Sequence, residues 1–188
     1  ERSGIQNGVY IISAVNTLNG ELLWDDQGEP NAVVSCQIGA AFSSGANAKG
    51  KVMNGAVACN VFWKVEGAVG LASGTSMKGT IVANNGAIDM NTNDTLEGRA
   101  LSIAGAVNIN GVLAYTPIGC GSPVLTGPVP PTLASAACYA IFSGNGSVTN
   151  SGITKGIGDV ATNVGATVGF NPLFVNGMIH PIPDGSTA

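Results

Sequence analysis

Short runs of alternating apolar and polar residues fill residues 68–105, and the same pattern is written twice, nineteen residues apart. The matching positions are Val69 and Ile88, Leu71 and Met90, Met77 and Leu96, Gly79 and Gly98, and Ile81 and Ala100. A third, partial copy begins at Val107. Alternation with a period of two is typical of strands, whereas helices have a period of about 3.6. Two such runs per copy, separated by a small polar corner, predict the stacked coils of an all-β solenoid.

Earlier parts of the chain repeat these positions at wider intervals. Gly79 is preceded by Gly50 and Gly20, at intervals of 29 and 30 residues, so we expect insertions at 24–32 and 56–67. Residues 1–118 are therefore predicted to contain four or five coils. The alternate positions predict a solvated strand face that carries Asn19, Glu21, Lys49, Lys51, Lys78, Thr80, Glu97 and Arg99.

A proline-rich stretch follows the repeat. Residues 119–137 contain four prolines, which cannot donate to a strand ladder, and they predict an extended linker. Residues 138–188 again alternate short apolar runs with Gly, Asn and Thr corners. Because either block alone would leave an open end of unpaired strands, we expect a single solenoid domain over residues 1–188.

Composition narrows the range of functions. Only 10% of the 188 residues are charged, 28 are glycine, and the net charge is −4. A weakly acidic chain without a basic patch does not suit nucleic acid, and no apolar run is long enough for a membrane span. His180 is the only histidine, and the GxSxG, HExxH and phosphate-loop motifs are absent from the sequence. Asp25, Asp26 and Glu29 could ligate calcium, but such a run is usually a turn. We therefore expect neither enzyme activity nor a metal or cofactor.

The cysteines are Cys36, Cys59, Cys120 and Cys138, and their even number permits disulfides in an exported protein. Cys120 and Cys138 bracket the proline-rich linker. We therefore predict a disulfide between them, which would close a loop of about 19 residues. Cys36 lies in an apolar run, so a buried free thiol and a disulfide partner are both open for it, and Cys59 is unassigned.

Four-residue corners separate the two strands of each coil, at Ala14–Thr17, Ser44–Asn47, Ser73–Ser76 and Thr92–Thr95. In a stack of coils, equivalent corners lie about 4.8 Å apart, the spacing of neighbouring strands. The corners would then form a regular array of short hydroxyl and amide groups. The alternative interpretation is that Ser, Thr, Asn and Gly simply favour turns, and the pattern leaves both open.

Residues 59–107, CNVFWKVEGAVGLASGTSMKGTIVANNGAIDMNTNDTLEGRALSIAGAV, resemble the DUF3494 family of bacterial and fungal ice-binding proteins. The most specific motifs are NVFWKVEGA and TLEGRAL. The resemblance implies a right-handed β-solenoid that is secreted and binds ice. The two blocks stand in the family in the opposite order, with a long α-helix between them. We therefore expect a circular permutant without that helix, or a piece cut across a tandem array.

The resemblance also implies which residues contact ice. The family's T-[A/G]-x-[T/N] pattern falls on the corners, beside an outward strand column. The candidate ice-contacting residues are Ser44, Asn47, Ser73, Thr75, Ser76, Thr92 and Thr95, with Ala41, Gly70, Asp89 and Asn108 as their neighbours. We expect the partner to be an ice crystal surface, and the protein to be a secreted or cell-surface monomer. A structural or adhesion module of a bacterial cell-surface protein is the alternative, and an extracellular polysaccharide-active enzyme is a more distant one.

Overall fold

The computed structural model describes residues 4–29, 31–117, 120 and 125–181. These residues form nineteen β-strands and two 3₁₀ helices, Ala58–Asn60 and Ala134–Cys138, and α-helix is absent from this part of the chain. The strand pairs between neighbouring coils are parallel. No helix within these ranges is long and apolar enough to cross a membrane. Residues 182–188, the end of the second predicted block, lie outside the described residues.

Within the described ranges the strands form seven stacked coils and lie on three faces. Face 1 contains β1 (Gly8–Ile12), β4 (Val34–Ile38), β7 (Val61–Val65), β14 (Tyr139–Ser143) and β17 (Asp159–Thr162). Face 2 contains β2 (Asn16–Leu18), β5 (Phe42–Ser44), β8 (Val69–Leu71), β10 (Ile88–Met90), β12 (Val107–Ile109), β15 (Val148–Asn150) and β18 (Thr167–Val168). Face 3 contains β3 (Glu21–Asp25), β6 (Lys49–Met53), β13 (Leu113–Tyr115), β16 (Lys155–Ile157) and β19 (Val175–Asn176). We number the coils 1 to 7 by their face-2 strands.

Two longer strands connect faces 3 and 1. The first halves of β9 (Ser76–Ala83) and β11 (Thr95–Ser102) lie on face 3, where they pair with β6 and β13. Their second halves lie on face 1, where they pair with β7 and β14. Faces 1 and 3 therefore form one 12-stranded sheet, and face 2 is a separate 7-stranded sheet. The molecule is a β-solenoid, as the alternation predicted.

The nineteen-residue repeat is confirmed at each position where it was predicted. Val69 lies opposite Ile88 in the pair of β8 and β10, and Met77 lies opposite Leu96 in the pair of β9 and β11. These side chains are fully buried and belong to one continuous interior cluster. Each coil thus covers the apolar inner face of its neighbour, which is the main stabilising contribution in a stack of this kind.

Glycine is required where β9 and β11 bend from face 3 to face 1. Gly79 has a φ of 100°, in the region that other residues enter only with strain. A Cβ on Gly98 would lie 1.8 Å from the carbonyl oxygen of Gly79. The repeated glycine therefore reflects the close approach of two backbones in neighbouring coils.

The register of the first coils differs by two residues from the predicted columns. Gly50 lies beside Leu22 instead of Gly20, and Lys49 lies beside Ser76. The corners of coils 2 and 3 are both four residues long, so coil 2 is shifted as a whole against coil 3. The offset changes again within coil 1, because only two residues separate β2 from β3. A shift of two residues keeps each side chain on the same side of the sheet. The predicted inward and outward positions therefore hold although their neighbours change.

Residues beyond 138 continue the same stack. β14 pairs with β11, and β15 pairs with β12 in the same register that the earlier face-2 strands use. β17 and β18 then form the next coil. Coils 6 and 7 thus lie directly on coil 5.

Residues 125–138, which we call the covering segment, lie against the outer side of face 1. Leu133 and Ala136 pack against an outer apolar cluster that includes Leu101 and Tyr139. Thr126 forms a parallel bridge with Ala32, so the prediction of a linker without ladder hydrogen bonds is wrong at this residue.

The predicted disulfide between Cys120 and Cys138 is wrong. Cys120 is bonded to Cys59 in the 3₁₀ helix Ala58–Asn60, with their Cα atoms 5.4 Å apart, and Cys138 is an exposed free thiol. Spacing along the chain suggested a local bridge, but Cys120 lies near the coil that carries Cys59. Cys36 is a buried free thiol, and burial raises its pKa to about 12.

Candidate functional site

The outer side of face 1 is already occupied. Arg99 is buried, and its Nε donates to the carbonyl oxygen of Ala137 in the covering segment (2.9 Å). Thr80, beside Arg99 in the neighbouring coil, has no exposed surface. The prediction that Thr80 and Arg99 are solvated is therefore wrong. The covering segment removes this part of face 1 from contact with a partner.

Face 3 presents ion pairs between adjacent coils. Lys51 Nζ lies 2.7 Å from Glu21 Oε1, and Lys78 Nζ lies 2.5 Å from Glu97 Oε2. The predicted pairing of opposite charges on neighbouring coils is confirmed for both pairs. Charged groups of this kind retain their water, so face 3 is a hydrated surface.

Ser76 and Thr95, two of the predicted ice-contacting residues, lie on this charged face. They are the first residues of β9 and β11, they pair with each other, and Ser76 also pairs with Lys49. Both side chains are partly exposed. They point to the same side as Lys78 and Glu97, two residues further along each strand.

Face 2 presents mainly small polar groups to the outside. We call its outward residues the central row, and they are Thr17, Ser43, Gly70, Asp89, Asn108, Thr149 and Val168. Thr17 Oγ1 and Ser43 Oγ are hydrogen-bonded to each other at 2.8 Å, and Asn108 Nδ2 donates to Asp89 Oδ1 at 2.8 Å. A Cβ on Gly70 would meet no atom within 4 Å, so the centre of the row is open.

A second row of small exposed residues follows the corner between faces 2 and 3. We call Ala46, Ser73 and Thr92 the corner row, and all three are exposed. The next residue in each corner has a positive φ, at Asn47, Gly74 and Asn93. The amide of each of these residues donates to the neighbouring coil; Gly74 N, for example, donates to Thr92 O at 3.1 Å. The predicted residues Asn47, Ser73 and Thr92 therefore lie on the surface next to face 2.

Two of the predicted ice-contacting residues lie inside the protein. Ser44 and Thr75 are buried, and their hydroxyl oxygens are 2.7 Å apart. Ser44 Oγ also accepts from the amide of Ala72 (2.9 Å), and the Thr75 hydroxyl donates to the carbonyl oxygen of Ala72. Their assignment to an outer surface is wrong. A corner hydroxyl can form hydrogen bonds with the backbone from the interior as readily as from the surface, so residue type does not show which way it points.

The predicted position of Ala41 is also wrong. This residue was placed in one column with Gly70, Asp89 and Asn108, whereas Ser43 occupies that position in the structure. Ala41 precedes β5, and its carbonyl oxygen accepts from the amide of Asn16 (3.1 Å). The two-residue shift of register in coil 2 accounts for the difference.

Sequence reasoning did not identify Val168 of the central row. It also missed Ser43 and Thr149, and it placed Thr17 in a corner whereas Thr17 lies in β2. Thr17, Ser43 and Thr149 each stand in the middle of a three-residue strand, between two positions that face the interior. Period-two alternation alone identifies such residues once the register of their coil is known. The three remaining central-row residues that were predicted, Gly70, Asp89 and Asn108, lie where the resemblance implied.

One carboxylate lies beneath the corner row. Asp94 is buried, and Asp94 Oδ1 accepts from Thr75 N at 2.8 Å while Oδ2 accepts from Asn91 N at 2.7 Å. Burial raises its pKa to about 6, although the backbone hydrogen bonds act in the opposite direction. Asp94 is thus an interior residue that ties two corners together, and it is not part of the outer surface.

Asp26 is a second buried carboxyl group, at the far end of β3. Burial, together with the negative charge of Asp25, raises its pKa to about 6. The neighbouring carboxylate differs: Asp25 Oδ1 accepts hydrogen bonds from Gln27 N and Asn54 Nδ2. In the described ranges, His, Cys, Asp and Glu side chains do not form any group of three that could hold a metal ion.

Comparison with known proteins places these surfaces in a family context. A family model described as Ice-binding-like matches residues 3–113. An ice-binding protein of Nostoc sp. (strain HG1) is 36% identical over 104 residues, which are 55% of this chain and 38% of that protein. Ice-binding protein 1 of Shewanella frigidimarina (strain NCIMB 400) is 30% identical over 108 residues, which are 56% of this chain and 12% of that protein.

Two solved structures are also similar. One is the crystal structure of an ice binding protein from an Antarctic bacterium of the Flavobacteriaceae, whose sequence is 53% identical to this chain. The two structures match with a TM-score of 0.62 over 98% of this chain and 44% of that one. An ice binding protein from an Antarctic biological consortium is 32% identical with a TM-score of 0.57, over 58% of this chain and 49% of that one. The chain spans less than half the length of each of these four relatives.

Proposed function

The chain belongs to the Ice-binding-like family, and from this premise we propose that it binds ice through face 2 and the adjoining corner row. The observation that supports this surface is its composition. It is the one part of the three faces, within the described residues, where short uncharged side chains predominate in successive coils. Face 1 is partly covered by its own chain, and face 3 carries ion pairs.

Binding to a crystal requires many weak contacts at fixed positions. Strand pairing repeats the outward residues of face 2 about every 4.8 Å, and parallel pairing holds them in line. Ser, Thr and Gly lose little side-chain freedom on binding, and the strand backbone is already ordered. Such a surface therefore loses little entropy when it contacts a lattice.

Hydrogen bonds within face 2 add to this order. The Thr17 and Ser43 hydroxyls hold each other, and the Asn108 amide holds the Asp89 carboxylate. The two pairs fix side chains that would otherwise rotate. They leave the remaining donor and acceptor positions of these groups directed to water or ice.

The proposed role is binding as a monomer, without a catalytic step, outside the cytoplasm. The disulfide between Cys59 and Cys120 supports export, because such bonds form and persist in oxidising compartments. Counting the free thiols of denatured protein from an oxidising compartment tests whether this disulfide forms there. Two thiols without reductant and four with it are expected; four without reductant would contradict it.

Growth of a single ice crystal in dilute protein tests the function itself. Faceted crystal growth and a gap between melting and freezing temperatures are the expected results. Round crystals and no such gap at high micromolar concentration would reject ice binding. That outcome would leave a structural or adhesion module as the better description of the chain.

A further inference from the structure

Beneath the corner row, buried polar side chains connect three consecutive coils. Ser44 of coil 2 contacts Thr75 of coil 3, and the amide of Thr75 donates to Asp94 of coil 4. Asp94 is the member that reaches two corners at once. One carboxylate oxygen accepts from its own corner at Asn91 N, and the other accepts from Thr75 N in the preceding coil.

The same interior position links coils elsewhere in the stack. In coil 6 it is occupied by Thr154, whose Oγ1 accepts from Val112 N of coil 5 at 3.2 Å and donates to Asn150 Oδ1 at 2.7 Å. A side chain of one coil thus accepts the amide of the preceding coil in both places. Asp94 does so with a carboxylate, whose charge strengthens each hydrogen bond.

We propose that Asp94 is a positioning residue for the ice-binding surface: it fixes the corner of coil 3 against that of coil 4, and so sets Ser73 relative to Thr92. Both exposed residues lie within three positions of an amide that Asp94 holds. The inference rests on the proposed function. It adds that the spacing of the corner row is controlled from inside the protein.

The ionisation of Asp94 gives this role a distinct signature. Its pKa is raised to about 6 by burial. The stacked corners on either side, residues 72–75 and 110–112, contain no titratable side chain, and the nearest charged residues along the chain, Asp89 and Glu97, point outward. At pH 7.5 both carboxylate oxygens accept an amide hydrogen. At pH 5 a proton occupies one oxygen and weakens one of the two links.

Protonation has the opposite effect on global stability, because a raised pKa means that the folded state binds the proton more tightly than the unfolded chain. On lowering the pH from 7.5 to 5, the melting temperature should therefore rise while thermal hysteresis falls. A purely structural role would move the two quantities in the same direction. The wild-type protein alone can show this, without any variant.

The matched variants are Asp94→Asn and Asp26→Asn. Both remove a buried carboxyl group with a raised pKa, but Asp26 lies at the end of β3, away from the corner row. Asp94→Asn places an NH₂ group opposite an amide donor. We expect at least a threefold lower hysteresis at pH 7.5 and no further change at pH 5. Asp26→Asn should keep the wild-type hysteresis and its pH dependence.

The outcomes distinguish failure of the proposed function from failure of the positioning role. If the wild type shows no hysteresis at any pH, the proposed function fails, and this inference fails with it. If the wild type is active but its hysteresis does not change between pH 7.5 and 5, the positioning role alone is rejected. Full activity of folded Asp94→Asn would likewise reject the positioning role while leaving ice binding intact.

Discussion

Faces 2 and 3 are built from the same coils with the same strand spacing, yet they present different chemistry to the surroundings. On face 2 the outward residues of coils 1 to 3 are Thr17, Ser43 and Gly70. On face 3 the same stack carries Lys–Glu pairs between coils. Regular spacing is therefore a property of the whole solenoid, whereas suitability for ice depends on which outward residues each face carries.

The comparison also separates the fold from the function. Inward residues of both faces belong to one apolar cluster, so they are constrained by packing. Outward residues are free of that constraint and can differ from face to face. Variants at inward positions should consequently affect both faces, and variants at outward positions only one.

The largest effect is expected from Gly98→Ala, which disturbs the frame that both faces share. The new Cβ would lie 1.8 Å from the carbonyl oxygen of Gly79, so the backbone of one coil must move. We expect a loss of about 3 kcal/mol or more in the free energy of unfolding, measured by denaturant titration.

Gly70→Ala is the matched control, because its Cβ meets no atom within 4 Å. Its stability should change by less than about 1 kcal/mol, with a small gain if the lost backbone freedom of the unfolded chain dominates. Similar losses for the two variants would show that the close approach at Gly98 does not limit the fold.

A smaller effect on stability is expected from a change of pH. It arises from the buried carboxyl groups and not from the ion pairs of face 3. The pKa values of Asp94 and Asp26 are both raised to about 6. Between that value and the ordinary pKa of aspartate, the folded protein holds protons that the unfolded chain has released. The free energy of unfolding should therefore increase as the pH falls from 7.5 to 5, by about 1 to 2 kcal/mol for each group.

Thermal unfolding followed by circular dichroism at the two pH values measures this. A rise of about 3 °C or more in the melting temperature is expected for the wild type. The Asp26→Asn, Asp94→Asn double variant should lose most of that rise. A wild-type melting temperature that falls on acidification would contradict the assignment.

The smallest effect is expected from the ion pair of Lys78 and Glu97 on face 3. Both side chains are about one fifth exposed, and pairs near the surface contribute about 1 kcal/mol or less. A double-mutant cycle with Lys78→Ala and Glu97→Ala should give a coupling energy in that range. The coupling should shrink in high salt. A coupling above about 2 kcal/mol would show that face 3 contributes more to the fold than its exposure suggests.

How far the sequence predicted the register of this structure depended on the irregular segments between coils. Between Val69 and Ile109 the repeat is free of insertions, and its register was predicted correctly. Coil 2 is followed by the irregular segment between β6 and β7, whose length alternation cannot reveal, so Ala41 was placed where Ser43 stands. Local spacing does not encode which coil Cys120 lies against either, which is why its partner Cys59 was missed.

The candidate surface was harder to predict than the fold. A serine or threonine in a corner bonds the backbone from either side, so composition did not distinguish buried Thr75 from exposed Thr92. Residue type likewise did not reveal that Ser76 and Thr95 begin strands of the charged face. The reversed order of the two blocks and the missing helix stay predictions.

Thermal hysteresis of Gly70→Tyr and Lys78→Tyr, measured side by side, tests most directly whether face 2 is the ice-binding surface. Both residues point outward from coil 3, one on face 2 and the other on face 3. Neither change should disturb the fold, because Gly70 has open space and the ion pair of Lys78 contributes little. We predict that Gly70→Tyr abolishes hysteresis and that Lys78→Tyr retains it, with both melting temperatures near that of the wild type. Loss of activity in Lys78→Tyr with full activity in Gly70→Tyr would contradict this assignment.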